Sequence, residues 1–106
     1  MKTGKLAEMK GGWFVGDFDP VCLKAKEAEA ACKYYKAGDK EGKHVHRIAT
    51  EVTVIASGKV KMNGHLLGAG DIIVLSPGEA SDFQAIEDTI TMVVKFPSVM
   101  GDKYPA

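Results

Sequence analysis

The sequence predicts an all-β fold, a barrel or sandwich of short strands, on three observations. From Glu51 onward, EVTVIASGKVKMNGHLLGAGDIIVLSPGEASDFQAIEDTITMVVKFP is rich in β-branched residues and broken at short intervals by Gly, Asn-Gly, Gly-Asp and Pro-Gly. Asn63-Gly64, between Val60–Met62 and His65–Leu67, is a hairpin signal, because a two-residue type I′ turn needs positive φ at both central positions. In the last strand Ile90, Met92, Val94 and Phe96 alternate with Thr89, Thr91, Val93 and Lys95, which gives one fully apolar face.

Taken in order, WFVGDFDP reads as a short strand or extended segment before a loop, with a proline that discourages helix at the residue before it. The next segment, LKAKEAEAACKYYKAGDKEGK, has two readings. Its Ala, Glu and Lys content favours a helix over about Leu23 to Lys36, whereas the alternation of Ala28, Ala30, Cys32 and Tyr34 with more polar neighbours favours a strand at its end. Met62, Met92 and Met100 read as core or near-core filler, and the tail PSVMGDKYPA as a surface arm. Trp13 and Phe14 are suited to covering an open barrel end or a partner's edge strand.

A chain of 106 residues, 45% hydrophobic, is expected to build one core, here a single domain with its core over about 12–98. Fourteen basic residues balance 14 acidic ones, which argues against nucleic acid or an anionic membrane as partner. Met1-Lys2-Thr3-Gly4-Lys5 lacks the apolar run of a signal peptide, and no later segment approaches membrane-spanning length, so a soluble, cytoplasmic protein is expected. Cys22 and Cys32 are too few for a disulfide framework and read as small hydrophobes. There is no Ser-His-Asp order, phosphate-binding glycine loop or CxxC pair.

The chemistry-bearing stretch is HVHRIATEVTVIASG, His44 to Gly58. On a strand His44 and His46 share a face, so their imidazoles stand side by side. Glu51 lies five residues past His46, an odd offset, and reaches the same face only if a turn or bulge in Arg47-Ile48-Ala49-Thr50 restores it. If the three converge, two imidazoles and a carboxylate with open positions suit Fe(II), Mn, Ni or Zn. His65, directly after the hairpin glycine, reads as an exposed turn residue.

The wider pattern, GKHVHRIATEVTVIASG followed by GDIIVLSPGEASDF, resembles the two motifs of the cupin superfamily. His44, His46, Glu51 and Gly58 fall on the first, with Gly42 as a displaced opening glycine; Gly70, Asp71, Pro77 and Gly78 fall on the second. The resemblance implies a single antiparallel, jelly-roll-like cupin β-barrel, often dimeric, with His44, His46 and Glu51 pointing into it as ligands of a divalent metal ion. It also implies that EAACKYYKAG is a strand leading into the first motif, against its helix propensity, with Tyr34 or Tyr35 facing inward. The sequence departs from the pattern at Ser81, where the family carries a third histidine. Asp82 and Gln84 share the opposite strand face and would come inward only through a bulge.

A metal-binding small cupin acting on or binding a small polar molecule is the leading expectation, its reaction open among oxygenase, isomerase and lyase chemistry. The alternative is a non-catalytic ligand-binding or sensing module, with a metal-free storage-like or scaffold role below both. A homodimer is expected, because edge strands and exposed apolar residues of so short a chain call for a partner.

Overall fold

The computed structural model describes residues 1–106. After two 3-10 turns, Leu6–Glu8 and Lys10–Gly12, the strands are β1 Trp13–Gly16, β2 Leu23–Lys24, β3 Glu29–Tyr35, β4 Lys40–Val45, β5 Thr50–Ser57, β6 Lys59–Met62, β7 His65–Gly68, β8 Ile72–Leu75, β9 Ala80–Ala85, β10 Thr89–Phe96 and β11 Tyr104–Pro105. They form a six-stranded sheet, β2-β1-β3-β10-β5-β8, and a five-stranded sheet, β11-β4-β9-β6-β7. The expected antiparallel barrel is corrected to two open sheets, one of them mixed. Each sheet ends in edge strands, and β2 runs parallel to β1, with Val15 opposite Leu23. The segment between them returns the chain to its starting end, and Cys22 N–H donates to Phe14 O at 2.9 Å while Ala25 N–H donates to Gly16 O at 3.1 Å.

The alanine-rich segment is a strand, not a helix. β3 lies between β1 and β10 and pairs with β10 from Glu29 opposite Lys95 to Tyr35 opposite Thr89, so tertiary pairing overrides a weak local preference. The hairpin at Asn63-Gly64 has the expected geometry, with φ of 48° and 80°, and His65 beyond it is exposed. Gly58, at φ 94°, ends β5 where a Cβ would stand 2.4 Å from the carbonyl oxygen of Asp88.

Between the sheets a core of Ile55, Val60, Met62, Phe83 and Ala85 is flanked by Tyr35, Leu67, Ile73 and Leu75. The apolar face of β10 does not join it. Thr89, Thr91 and Val93 are the buried residues of that strand, and Lys95 lines an internal cavity with Thr91 and Val93. Ile90, Met92 and Val94 therefore face the other side, in register with Tyr34, Cys32 and Ala30 of β3. On β5, Val52 and Val54 continue that outer face to Val74 and Ile72 of β8. Met92 is thus an outer-face residue and Met100 is 78% exposed, so of the three methionines expected in the core only Met62 enters it.

The tail is not a surface arm. Ser98 and Asp102 are buried, Ser98 Oγ accepts from Asp17 N–H at 2.9 Å, and β11 pairs with the end of β4. Polar groups, not apolar ones, hold this segment down, because their partners are backbone groups of loops that lack strand neighbours.

Candidate metal centre

β4 and β5 carry the three expected ligands. His44 pairs with Ser81 of β9 on one side and Pro105 of β11 on the other. The β4–β9 register shifts by one residue between Glu41 and His44, a bulge at Gly42-Lys43. That extra residue changes the face parity, so Glu41 and His44 both line the cavity. His44 Nδ1 donates to the carbonyl of Gly42 at 2.9 Å.

The bend that the odd offset of Glu51 requires is built around Asp102. Its carboxylate accepts from the backbone N–H groups of Arg47 (2.9 Å), Ile48 (3.2 and 3.1 Å) and Ala49 (2.9 Å). The carbonyl oxygen of Asp102 accepts from His46 Nδ1. One tail residue therefore folds the turn and orients the second histidine, while the Arg47 guanidinium lies 3.9 Å from the Tyr104 ring centroid beside it. Nothing in the local sequence marked Asp102, because its partners are more than 50 positions away.

With both Nδ1 atoms tied to carbonyls, each imidazole keeps Nε2 for other partners. The rings meet edge to face, 5.2 Å between centroids. His46 Nε2 lies 3.5 Å from Glu51 Oε2, and donor atoms of His44, His46 and Glu51 all lie within 4.8 Å of one another. The hydrogen bond to Glu51 raises the His46 pKa above the usual imidazole value, burial opposes this, and the Asp102 carbonyl adds to it. For Glu51 burial favours the neutral acid, but the hydrogen bond and charge of His46, followed by the charge of Lys95, hold its pKa below the ordinary value. Burial likewise works against ionised Asp102 and is outweighed by the N–H donors of Ala49, Arg47 and Ile48.

The third-histidine position stays a serine in place. Ser81 is buried beside His44, and its Oγ donates to the carbonyl of Asp82 at 2.8 Å. β9 keeps regular alternation, with Ser81, Phe83 and Ala85 buried, so no bulge turns Asp82 or Gln84 inward. The Asp82 carboxylate instead accepts from Asn63 N–H at 2.7 Å and braces the hairpin.

The ligand group opens on a cavity of about 170 Å³. Of the two tyrosines, Tyr35 faces it and Tyr34 is 68% exposed. The Tyr35 hydroxyl donates to Glu41 Oε1 at 3.3 Å, and its ring centroid lies 4.5 Å from that of Phe83. Burial and the Glu41 carboxylate push its pKa well above that of an ordinary phenol, so it stays a neutral donor. Trp13 closes the cavity from β1, with Lys33 Nζ 5.3 Å and Lys95 Nζ 4.9 Å from its ring centroid. Lys95 pairs with Glu29 at 3.9 Å. Sequence reading passed over both lysines, because Lys95 stands on the more polar face of its strand with Thr89 and Thr91.

No family model matches the sequence, and no curated protein matches it. Solved structures do. An uncharacterized conserved protein with a double-stranded β-helix domain from Klebsiella pneumoniae is 24% identical, with 79% of this chain and 74% of that one covered and a TM-score of 0.72. An RmlC-like cupin from Shewanella frigidimarina is 22% identical over 71% of this chain and 70% of that one, at a TM-score of 0.66. An oxalate decarboxylase from Bacillus subtilis is 16% identical over 76% of this chain and 24% of that one, also at 0.66. In its fold, this chain is similar to small cupin and double-stranded β-helix proteins.

Proposed function

We propose that the protein is a metal-dependent small-molecule cupin in which His44, His46 and Glu51 hold one divalent ion, from among Fe, Mn, Ni and Zn, beside a cavity that takes a small polar molecule. The observation that carries this reading is the convergence of the three donor sets within 4.8 Å. The donor set fits such an ion. Ligands about 2.0–2.2 Å from one metal stand about 3 to 3.5 Å apart, and His46 Nε2 and Glu51 Oε2 are separated by 3.5 Å. A bound ion would supply Lewis acidity or oxygen activation. The chain's own part is to keep the His46 proton on Nδ1 through Asp102, to hold Glu51 ionised, and to keep the Tyr35 hydroxyl neutral at the cavity wall, donating to Glu41. An oxalate decarboxylase among the similar structures supports small-molecule chemistry on this fold.

A second reading, a non-catalytic ligand-binding module, is favoured by Ser81: neither Asp82 nor Gln84 replaces the missing histidine. Metal analysis of the purified protein beside His44→Ala and His46→Ala tests the first reading, which expects near-stoichiometric metal lost in both variants. A metal-free native protein refutes it.

Two further parts of the proposal concern setting. The chain forms a homodimer through the outer face of the six-stranded sheet, a reading supported by its continuous apolar register from Tyr34 to Val74 and by the exposure of Tyr34, Ile72 and Val74. The protein works in the cytoplasm, where Cys22 and Cys32 remain thiols. No helix is long and apolar enough to cross a membrane.

A further inference from the structure

The cavity wall away from the histidines carries cations that the metal site does not use. Lys33, Lys95 and Lys103 all line it, and both Lys33 and Lys95 lie against one face or edge of Trp13. Of the carboxylates at the same cavity, Glu29 and Glu51 face Lys95 and His46, whereas Glu41 and Asp82 have neutral hydrogen-bond donors, Tyr35 and Asn63. Lys33 and Lys103 have neither an ion pair nor a hydrogen bond. Lys33 is half-buried, its proton affinity lowered by that burial and by the charges of Lys103 and Lys95, with Glu41 opposing. Directly across the β3–β10 register stands Thr91, 1% exposed, whose hydroxyl is the one buried side-chain polar atom without a hydrogen-bond partner. A half-buried ammonium and an orphaned hydroxyl are each costly to leave unmatched, and one oxyanion would serve both.

We infer that Lys33, backed by Lys103 and Thr91, is the binding site for a carboxylate of the ligand, so that the cavity takes a small organic acid spanning from the metal to Lys33. The inference rests on the metal-site reading above and adds the substrate class to it. Size agrees: a cavity of about 150 Å³ accommodates a benzene-sized guest, and the space here is about 170 Å³. That is room for a compact acid such as malonate, with its two charged ends. The neighbouring Lys95 is the weaker candidate because Glu29 neutralises it.

The test uses protein loaded with Co(II), followed by its visible spectrum and by calorimetry, and titrated with malonate and with its neutral diamide. Malonate is expected to bind at least about tenfold tighter than the diamide, the usual worth of one charge-assisted hydrogen bond. Lys33→Met should remove about that factor while leaving Co(II) affinity unchanged, and Lys33→Arg should restore most of it. Equal binding of malonate and diamide, or unchanged malonate affinity in Lys33→Met, overturns the inference while leaving the metal site standing. Failure of the native protein to bind Co(II) overturns the metal reading itself, and the metal-to-Lys33 span with it.

Discussion

Replacing Asp102 by alanine should damage both the fold and the metal site. The carboxylate accepts from three consecutive backbone N–H groups at 2.9 to 3.2 Å, and its own carbonyl holds His46. Hydrogen bonds to a charged acceptor are worth about 1.5–3 kcal/mol each when buried. Only Ala49 of the three donors is on a buried residue, and the N–H groups of the exposed Arg47 and Ile48 can turn to water, so the sum is discounted to about 2–4 kcal/mol. For a domain of this size that is a fall in Tm of about 10–25 °C.

Metal affinity should fall as well, by about 10- to 100-fold, the usual cost of losing a group that orients a ligating histidine. Asp102→Asn, which keeps one acceptor oxygen, should lie between. Thermal unfolding of the metal-free protein and competition titration with Zn(II) at pH 7 measure the two effects separately. The pKa of Asp102 is held below the ordinary carboxylate value, so its stabilisation is present above about pH 4 and lost as pH falls through the lowered value. A Tm change under about 3 °C in Asp102→Ala, with unaltered Zn(II) affinity, would show that the turn and His46 are held by something else.

Glu51→Gln should weaken metal binding and return the His46 pKa toward its ordinary value, read by NMR titration of the metal-free protein. The sign in that protein follows from the raised His46 pKa: the His46–Glu51 contact stabilises fully below the unfolded histidine value of about 6.5 and is lost as pH rises through the folded one. Metal occupancy runs the other way and falls on acidification, because the proton and the ion compete for Nε2; occupancy that is flat from pH 8 to about 5 would refute the ligand set. Ser81→His places an imidazole opposite His44 in register and should tighten Zn(II) binding by tenfold or more, whereas unchanged affinity would mean that this position does not face the ion. Val54→Lys, in the middle of the outer apolar face, should convert the expected dimer to a monomer by light scattering; a native protein that is already monomeric refutes the dimer.

Much of the architecture was legible where short-range rules decide it. Asn63-Gly64 needs only its own two dihedrals, and His44 and His46 share a side by strand periodicity, so both were readable from a few residues. The identity of β3 was not, because Ala, Glu and Lys at its start favour helix and only the pairing with β1 and β10 decides otherwise. Asp102 was illegible for a different reason: a lone aspartate in a Gly- and Pro-containing tail has no pattern until the fold brings residues 47–49 to it.

The alternation of β10 carries the deeper lesson about where periodicity misleads. Its apolar set, Ile90, Met92 and Val94, lies on the outer face, while Thr89, Thr91 and Lys95 point between the sheets. The same inversion holds on β3, where Glu29, Lys33 and Tyr35 face in and Cys32 faces out. Apolar alternation identifies an apolar face, and on these two strands that face is the outer one, where a second subunit is proposed to pack. Inside, the apolar core is displaced toward Ile55 and Phe83, and the remaining space is kept polar. A polar interior costs stability at every unmatched group, as at Thr91 and Lys33, and such a cost is characteristic of sites that hold a ligand. Lys95, standing between Glu29 on β3 and Glu51 on β5, joins the two halves of this interior: its charge helps keep Glu51 ionised while Glu29 keeps the ammonium matched. The central strands of the sheet are therefore built around the site, with their apolar surface turned to the outside.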